Sequence, residues 1–159
     1  MSGAKDISKL DGSKIIAVAR LWKGTPYKAV GAASSKGVEG DCSGTTWRIY
    51  TEAGFPFDYQ PTASFPSYVA STKRFREVGA GNAMQEGDVL FWPGHVAIYS
   101  SFSDDTDNGT TKRLAKDGKT PWTQVNDMWS ATRPGGSDYG PNKMGFFRKE
   151  APRVFRYQR

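Results

Sequence analysis

The sequence predicts an α+β domain with its helices early and its strands late. Two helical periods lie in the first third of the chain, and short apolar runs bounded by turn residues fill much of the rest. The only cysteine and the only histidine each stand at the edge of a well-marked element. These observations point to an antiparallel sheet covered on one face by a cysteine-bearing helix.

The chain has 159 residues, which suits a single domain spanning 1–159 with a packed core. Its aromatic content of 13% offsets a modest 37% hydrophobic content, because each ring buries a large apolar area. Residues 1–12 read as a loose polar arm. Ser13 is then placed to cap a helix with Ile15, Val18, Ala19 and Trp22 on one face. Gly24 stops that helix, and Thr25-Pro26 forbids its continuation. After Tyr27, a Gly-, Ala- and Ser-rich loop runs from Gly31 to Gly40.

Asp41 is a good N-cap for a second helix whose buried positions are Thr46, Ile49, Tyr50 and Ala53, ended by Gly54. Cys42 therefore falls in the first turn, where unpaired N–H groups and the helix dipole stabilise a thiolate. A free cysteine also serves simply as a buried apolar residue. Its neighbours Gly40, Asp41, Ser43 and Gly44 argue against a greasy environment here. The segment from Phe55 to Pro66, rich in proline and aromatics, covers the core or lines a groove, and a short helix is expected around Ser67–Arg74.

Gln85-Glu86-Gly87-Asp88 turns into the apolar run Val89–Trp92, which has the character of a buried strand. Pro93-Gly94 turns the chain again, and His95 opens a second strand. There His95, Ala97 and Tyr99 share one face, and Val96 and Ile98 share the other. The polar stretch Ser101–Thr120 reads as a solvated hairpin or loop insertion. Val125–Thr132 is a further strand, Arg133–Pro141 a turn-rich loop, and Met144–Arg148 and Arg153–Tyr157 are strand-like.

Composition and motifs exclude several chemistries. A single cysteine forms no internal disulfide. Gly79-Ala80-Gly81 lacks the context of a dinucleotide fingerprint, and no phosphate-binding Gly-Lys-Ser/Thr loop occurs. Asp104, Asp105 and Asp107 lack the ligand pattern of a calcium loop, so no metal and no cofactor are expected. Asn108-Gly109-Thr110 matches a glycosylation sequon, which matters only in a eukaryotic secretory setting. No run approaches the roughly 18 to 20 apolar residues of a membrane span, and the polar N-terminus has no signal-peptide core. Neither membrane insertion nor a cleaved leader is expected.

The net charge of +6 favours polyanionic neighbours. Part of it sits in Arg148, Lys149, Arg153, Arg156 and Arg159 near the end, most simply a solvated face. No nucleic-acid-binding signature accompanies this charge. Cys42 and His95 together supply the minimum of a cysteine nucleophile with a general base, set against the plainer reading of each as a structural residue.

Four pieces then occur in order: Gly24-Thr25-Pro26-Tyr27, Asp41-Cys42-Ser43-Gly44, Gly87-Asp88-Val89-Leu90-Phe91 and His95-Val96-Ala97-Ile98-Tyr99. In this the chain resembles the NlpC/P60 family of papain-like cysteine peptidases that cleave bacterial peptidoglycan peptides. The resemblance implies a papain-like fold, with Cys42 as nucleophile and His95 as the base that later protonates the leaving amine. It makes Tyr27, Asp41 and Ser43 substrate-binding residues, and the backbone N–H of Cys42 the first oxyanion donor. The family usually orients its base with a third polar residue, often histidine. Here Ser130 falls at that place, with Asn126 and Asp127 as rivals.

The resemblance implies a peptidoglycan stem-peptide substrate, commonly cut between D-glutamate and the diamino acid. Bare members of the fold resemble effectors injected by type VI secretion, or phage enzymes. An effector would be made in the cytoplasm, act in a target's periplasm or wall, and have a cognate immunity protein as partner. The alternatives are an inactive wall-binding module and another Cys-His acyl-transfer or deamidation chemistry on the same fold.

Overall fold

The computed structural model describes residues 5–79, 83–131 and 138–159. Helix α1, Lys9–Leu21, starts at Ser8 rather than at Ser13. The Ser8 hydroxyl accepts the Asp11 N–H, and the Asp11 carboxylate accepts that of Ser8. This reciprocal capping box needs an acceptor three residues after the cap. Counted from Ser13, that position is the apolar Ile16, so Ser13 lies inside the helix and donates to the Lys9 carbonyl. The expected buried positions hold, with Ile15, Ala19 and Trp22 buried and Val18 partly so.

Over residues 5–12 the expectation of a loose arm is also corrected. Asp6 bridges to Gln158, and the Ile7 N–H donates to the Tyr157 carbonyl while its side chain is buried. Met1–Ala4 lie outside the described residues.

Helix α2, Cys42–Ala53, has Asp41 as its N-cap and is closed by Gly54 at φ 95°, the left-handed region that glycine adopts without strain. Helix α3, Phe65–Thr72, begins two residues before the expected start, with Pro66 in its first turn and Phe65 buried beneath. Strand β1, Phe75–Val78, follows. The expected strands appear as β2, Val89–Trp92, and β3, His95–Tyr99. The polar stretch after them rises into a separate two-stranded hairpin of β4, Thr110–Leu114, and β5, Pro121–Val125. Of the strand expected over Val125–Thr132, β6 covers Met128–Ser130. Thr132 and the first part of the Arg133–Pro141 loop lie outside the described residues, as do Ala80 and Gly81. Strand β7 is Gly140–Asn142.

Met144–Arg148 corrects a further expectation. Its first four residues form helix α4, Met144–Phe147, not a strand. The cap comes from another element: the Asp127 carboxylate accepts the Met144 N–H at 2.8 Å. A long-range acceptor of this kind leaves no trace in local periodicity. The last strand, β8, is Arg153–Tyr157.

Six strands form one antiparallel sheet in the order β1-β8-β2-β3-β6-β7. Ile15, Ile49, Tyr50 and Phe65 from the three long helices pack with Val89, Phe91, Val96 and Ile98 on one face. Leu90, Trp92, Ala97, Met128 and Val154 cluster on the other. Burial of both faces explains why Val89–Trp92 is continuously apolar instead of alternating. The α+β architecture with the cysteine helix on the sheet is as the sequence led one to expect.

Candidate active site

The site is built outward from the start of α2. Asp41 is extended at φ −114° and ψ −177°, and its carboxylate works in two directions. One oxygen accepts the Gly44 N–H at 2.8 Å, capping the helix, and the other accepts the Gly31 N–H at 2.7 Å. The Gly- and Ser-rich loop is thereby pinned against the helix start. The approach is so close that a Cβ on Gly44 would stand 2.0 Å from Ser34 Oγ and 2.1 Å from the Gly31 carbonyl oxygen. Gly44 is required by that contact.

Cys42 is half-buried in the first turn. Among the described residues its backbone N–H has no protein acceptor, as an oxyanion donor requires. The thiol meets a hydroxyl: Sγ lies 3.7 Å from Thr62 Oγ1. Tyr27, bridged through its backbone to Gly40, brings its phenol close enough for mutual electrostatic influence. Burial pushes the Tyr27 phenol up, and negative charge on Cys42 and Asp41 pushes it the same way. Ser43 Oγ lies 3.0 Å from the Tyr59 hydroxyl and donates to Asp41 at 3.4 Å. Tyr27, Asp41, Cys42 and Ser43 are therefore brought together.

Ser43 and Thr46 also line a small cleft with Phe57, Gln60, Phe65, Val89 and Val96. Thr62 and Tyr59 carry no sequence signal of their own. The signal was their segment, whose prolines and aromatics both line this groove and cover the core.

His95 opens β3 after the two-residue turn Pro93-Gly94, and it pairs with Trp92 across the hairpin. The two rings lie 5.8 Å apart. α2 packs against β3, so nucleophile and base candidates sit on touching elements. Alternation decides the rest. Val96 faces Ser43 and Thr46, whereas His95 points to the face it shares with Trp92 and Ala97. The ring is 5% exposed, and burial lowers its pKa to about 4. The positive charge of Arg148, hydrogen-bonded to the Pro93 carbonyl at the same turn, acts in the same direction. The imidazole is neutral at physiological pH, the protonation state of a general base.

The three candidates for a residue orienting His95 are spread over one short stretch. Ser130 is on β6, next to β3. The pairs Ile98 with Trp129 and Tyr99 with Met128 set it opposite Ala97 at the next step, on the His95 face. Its hydroxyl is buried and has no hydrogen-bond partner among the described residues. Asn126 is occupied at the base of the hairpin, where it donates to Thr111 and to the Asn108 carbonyl. Asp127 caps α4, and burial pushes its carboxyl up.

The NlpC/P60 family model matches residues 24–131, more than half of the chain. The match opens on Gly24-Thr25-Pro26-Tyr27 and closes just after Ser130. The chain belongs to the NlpC/P60 family. Membership carries the general activity of cell-wall peptidases and amidases, typically cysteine hydrolases. None of the curated proteins matches the chain. Among the described residues, no helix is long and apolar enough to cross a membrane.

Proposed function

We propose that this NlpC/P60 protein is a cysteine peptidase acting on peptidoglycan stem peptides, at the bond between D-glutamate and the diamino acid. The observation that supports it best is the Cys42 thiol in the first turn of a capped helix, ringed by Tyr27, Asp41, Ser43 and Thr62. In this reading Cys42 gives its proton to His95 and its sulfur attacks the amide carbon. The electron pair of the C=O bond moves to oxygen, which the Cys42 N–H receives. The C–N bond then breaks as the imidazolium protonates the departing amine, and water hydrolyses the thioester. Asp41 and Tyr27 offer a carboxylate and a phenol to a free peptide amine. The net charge of +6 suits an anionic wall.

The proposal extends to delivery. The enzyme reaches the periplasm or wall of a target bacterium as an injected effector. A cognate immunity protein covers the start of α2 in the producer.

A second reading, an inactive wall-binding module, is favoured by one observation: the His95 ring lies on the Trp92 face, and the Ser130 hydroxyl does not bond to it. Mass spectrometry of digested muropeptides separates the two. Wild type is expected to release cleaved stem peptides, and Cys42→Ala to lose at least about a thousandfold in rate with its fold intact by circular dichroism. Directed to a periplasm, wild type should lyse cells and Cys42→Ala should not. Undiminished cleavage by the variant would sink the peptidase reading. Sacculus binding without any product from wild type would favour the module.

A further inference from the structure

We infer that Thr62 is a catalytic hydroxyl of this site, donating the hydrogen bond that stabilises the Cys42 thiolate. The inference rests on reading Cys42 as the nucleophile. Its basis is the 3.7 Å contact between Cys42 Sγ and Thr62 Oγ1, made by residues twenty apart in sequence.

Chance proximity would leave Thr62 on an unconstrained loop, yet its segment is fastened to α2 at two further points. Trp47 Nε1 donates to the Phe57 carbonyl at 2.7 Å, and the Tyr59 hydroxyl meets Ser43 Oγ at 3.0 Å. The Tyr59 ring also packs edge-on against Trp47, with centroids 5.5 Å apart. Beyond Thr62 the chain closes on itself. Ser64 donates its N–H to the Pro61 carbonyl and its hydroxyl to Gln60 Oε1, and buried Phe65 anchors α3. Thr62 is thus presented to the sulfur by a short clamped segment.

Electrostatics gives the hydroxyl a task. The Asp41 carboxylate next to Cys42 in the chain is a like charge for a thiolate, whereas the Tyr27 phenol, pushed up by burial, stays protonated and neutral. The buried His95 ring lies under the influence of Arg148, which opposes its protonation, so a standing imidazolium is not the offsetting charge. Neutral donors remain: the N–H groups of the helix start, the Tyr27 phenol and the Thr62 O–H, of which only the Thr62 hydroxyl stands in hydrogen-bond contact with the sulfur. A hydrogen bond to a charged acceptor is stronger than one to a neutral one, so this bond strengthens as the proton leaves the thiol. It is released when the sulfur electron pair forms the S–C bond and the charge passes to the former carbonyl oxygen.

The test needs no wall substrate. Iodoacetamide alkylation of the single cysteine is followed against pH in wild type, Thr62→Ser and Thr62→Val, with thermal melts to check folding and Thr62→Ala replacing Thr62→Val should the latter melt early. Loss of the hydroxyl is expected to slow alkylation about tenfold at pH 7 and to move its midpoint up by about one pH unit. Thr62→Ser should stay within about twofold of wild type. Superimposed profiles for wild type and Thr62→Val would overturn the inference, as would a Thr62→Ser profile as displaced as that of Thr62→Val. If wild type shows the expected profiles but cleaves no muropeptide, the peptidase reading fails and the role of Thr62 stands. Cleavage with an unmoved Thr62→Val profile means the reverse.

Discussion

Burial and the nearby Arg148 charge lower the His95 pKa to about 4, against an ordinary value near 6.5. The unfolded chain therefore takes up a proton at a higher pH than the folded one. Stability from the neutral ring is fully present above about pH 6.5 and is lost as pH falls toward 4. The loss amounts to about 2 kcal/mol between pH 7.5 and 5, rising to about 3 kcal/mol by pH 4. Urea unfolding of wild type and His95→Gln across that range isolates it from the carboxylates, which titrate in both. The gap between the two proteins should narrow with acid by those amounts, and a constant gap would show that the ring is not held neutral. At the same scale, Tyr27 and Asp41 illustrate how chemistry follows local charge. Burial and the negative charge of Cys42 and Asp41 push the Tyr27 phenol up, so it stays protonated beside the helix start.

Gly44 shows an element-scale contact overriding a local preference. In an exposed helix, alanine in place of glycine gains up to about 1 kcal/mol. In α2 the added methyl would press into Ser34 Oγ and the Gly31 carbonyl, and a backbone carbonyl cannot swing aside. Gly44→Ala is expected to cost about 2 kcal/mol in urea unfolding and to loosen the 31–40 loop from the helix start. A stabilised variant would refute this account of the motif glycine. The hairpin of β4 and β5 and the helix α4 make the complementary point. Polar periodicity allowed a hairpin, whereas α4 exists because Asp127, seventeen residues away, caps it.

Across the whole molecule, the basic C-terminal segment works as a clasp more than as a solvated face. Arg153 forks onto Glu77, Arg156 onto buried Asp88, and Arg159 reaches Asp11 in the first helix. Of these, the Asp88 pair matters most, because its carboxylate is fully buried and the guanidinium is only 11% exposed. Burial pushes the Asp88 carboxyl up and Arg156 pulls it back. The exposed forks contribute little each. Arg156→Met should cost about 3 kcal/mol, since it strands a buried carboxylate, and adding Asp88→Leu should recover part of that loss. Equal losses in the single and double variants, read from denaturant midpoints, would count against the pair as the clasp.

Periodicity and capping chemistry determined α2, β2, β3 and β8, because each is specified by neighbours within a few residues. The same locality made Cys42 and His95 legible, as the only thiol and imidazole beside recognisable element boundaries. Ser13 misled because capping depends on the residue three places on, and Asp11 supplies that acceptor to Ser8 alone. The rest was settled by distance in sequence. α4 takes its cap from Asp127 just before β6; Thr62 and Tyr59 meet the helix start across a loop, and the first described residues dock on the last strand. The direction of the His95 ring also belongs to the tertiary structure. A two-residue turn fixes the register of β2 and β3, and with a side-chain period of two that register assigns the imidazole to the Trp92 face. Local sequence named the reactive groups, whereas pairing and packing decided which of them share a face.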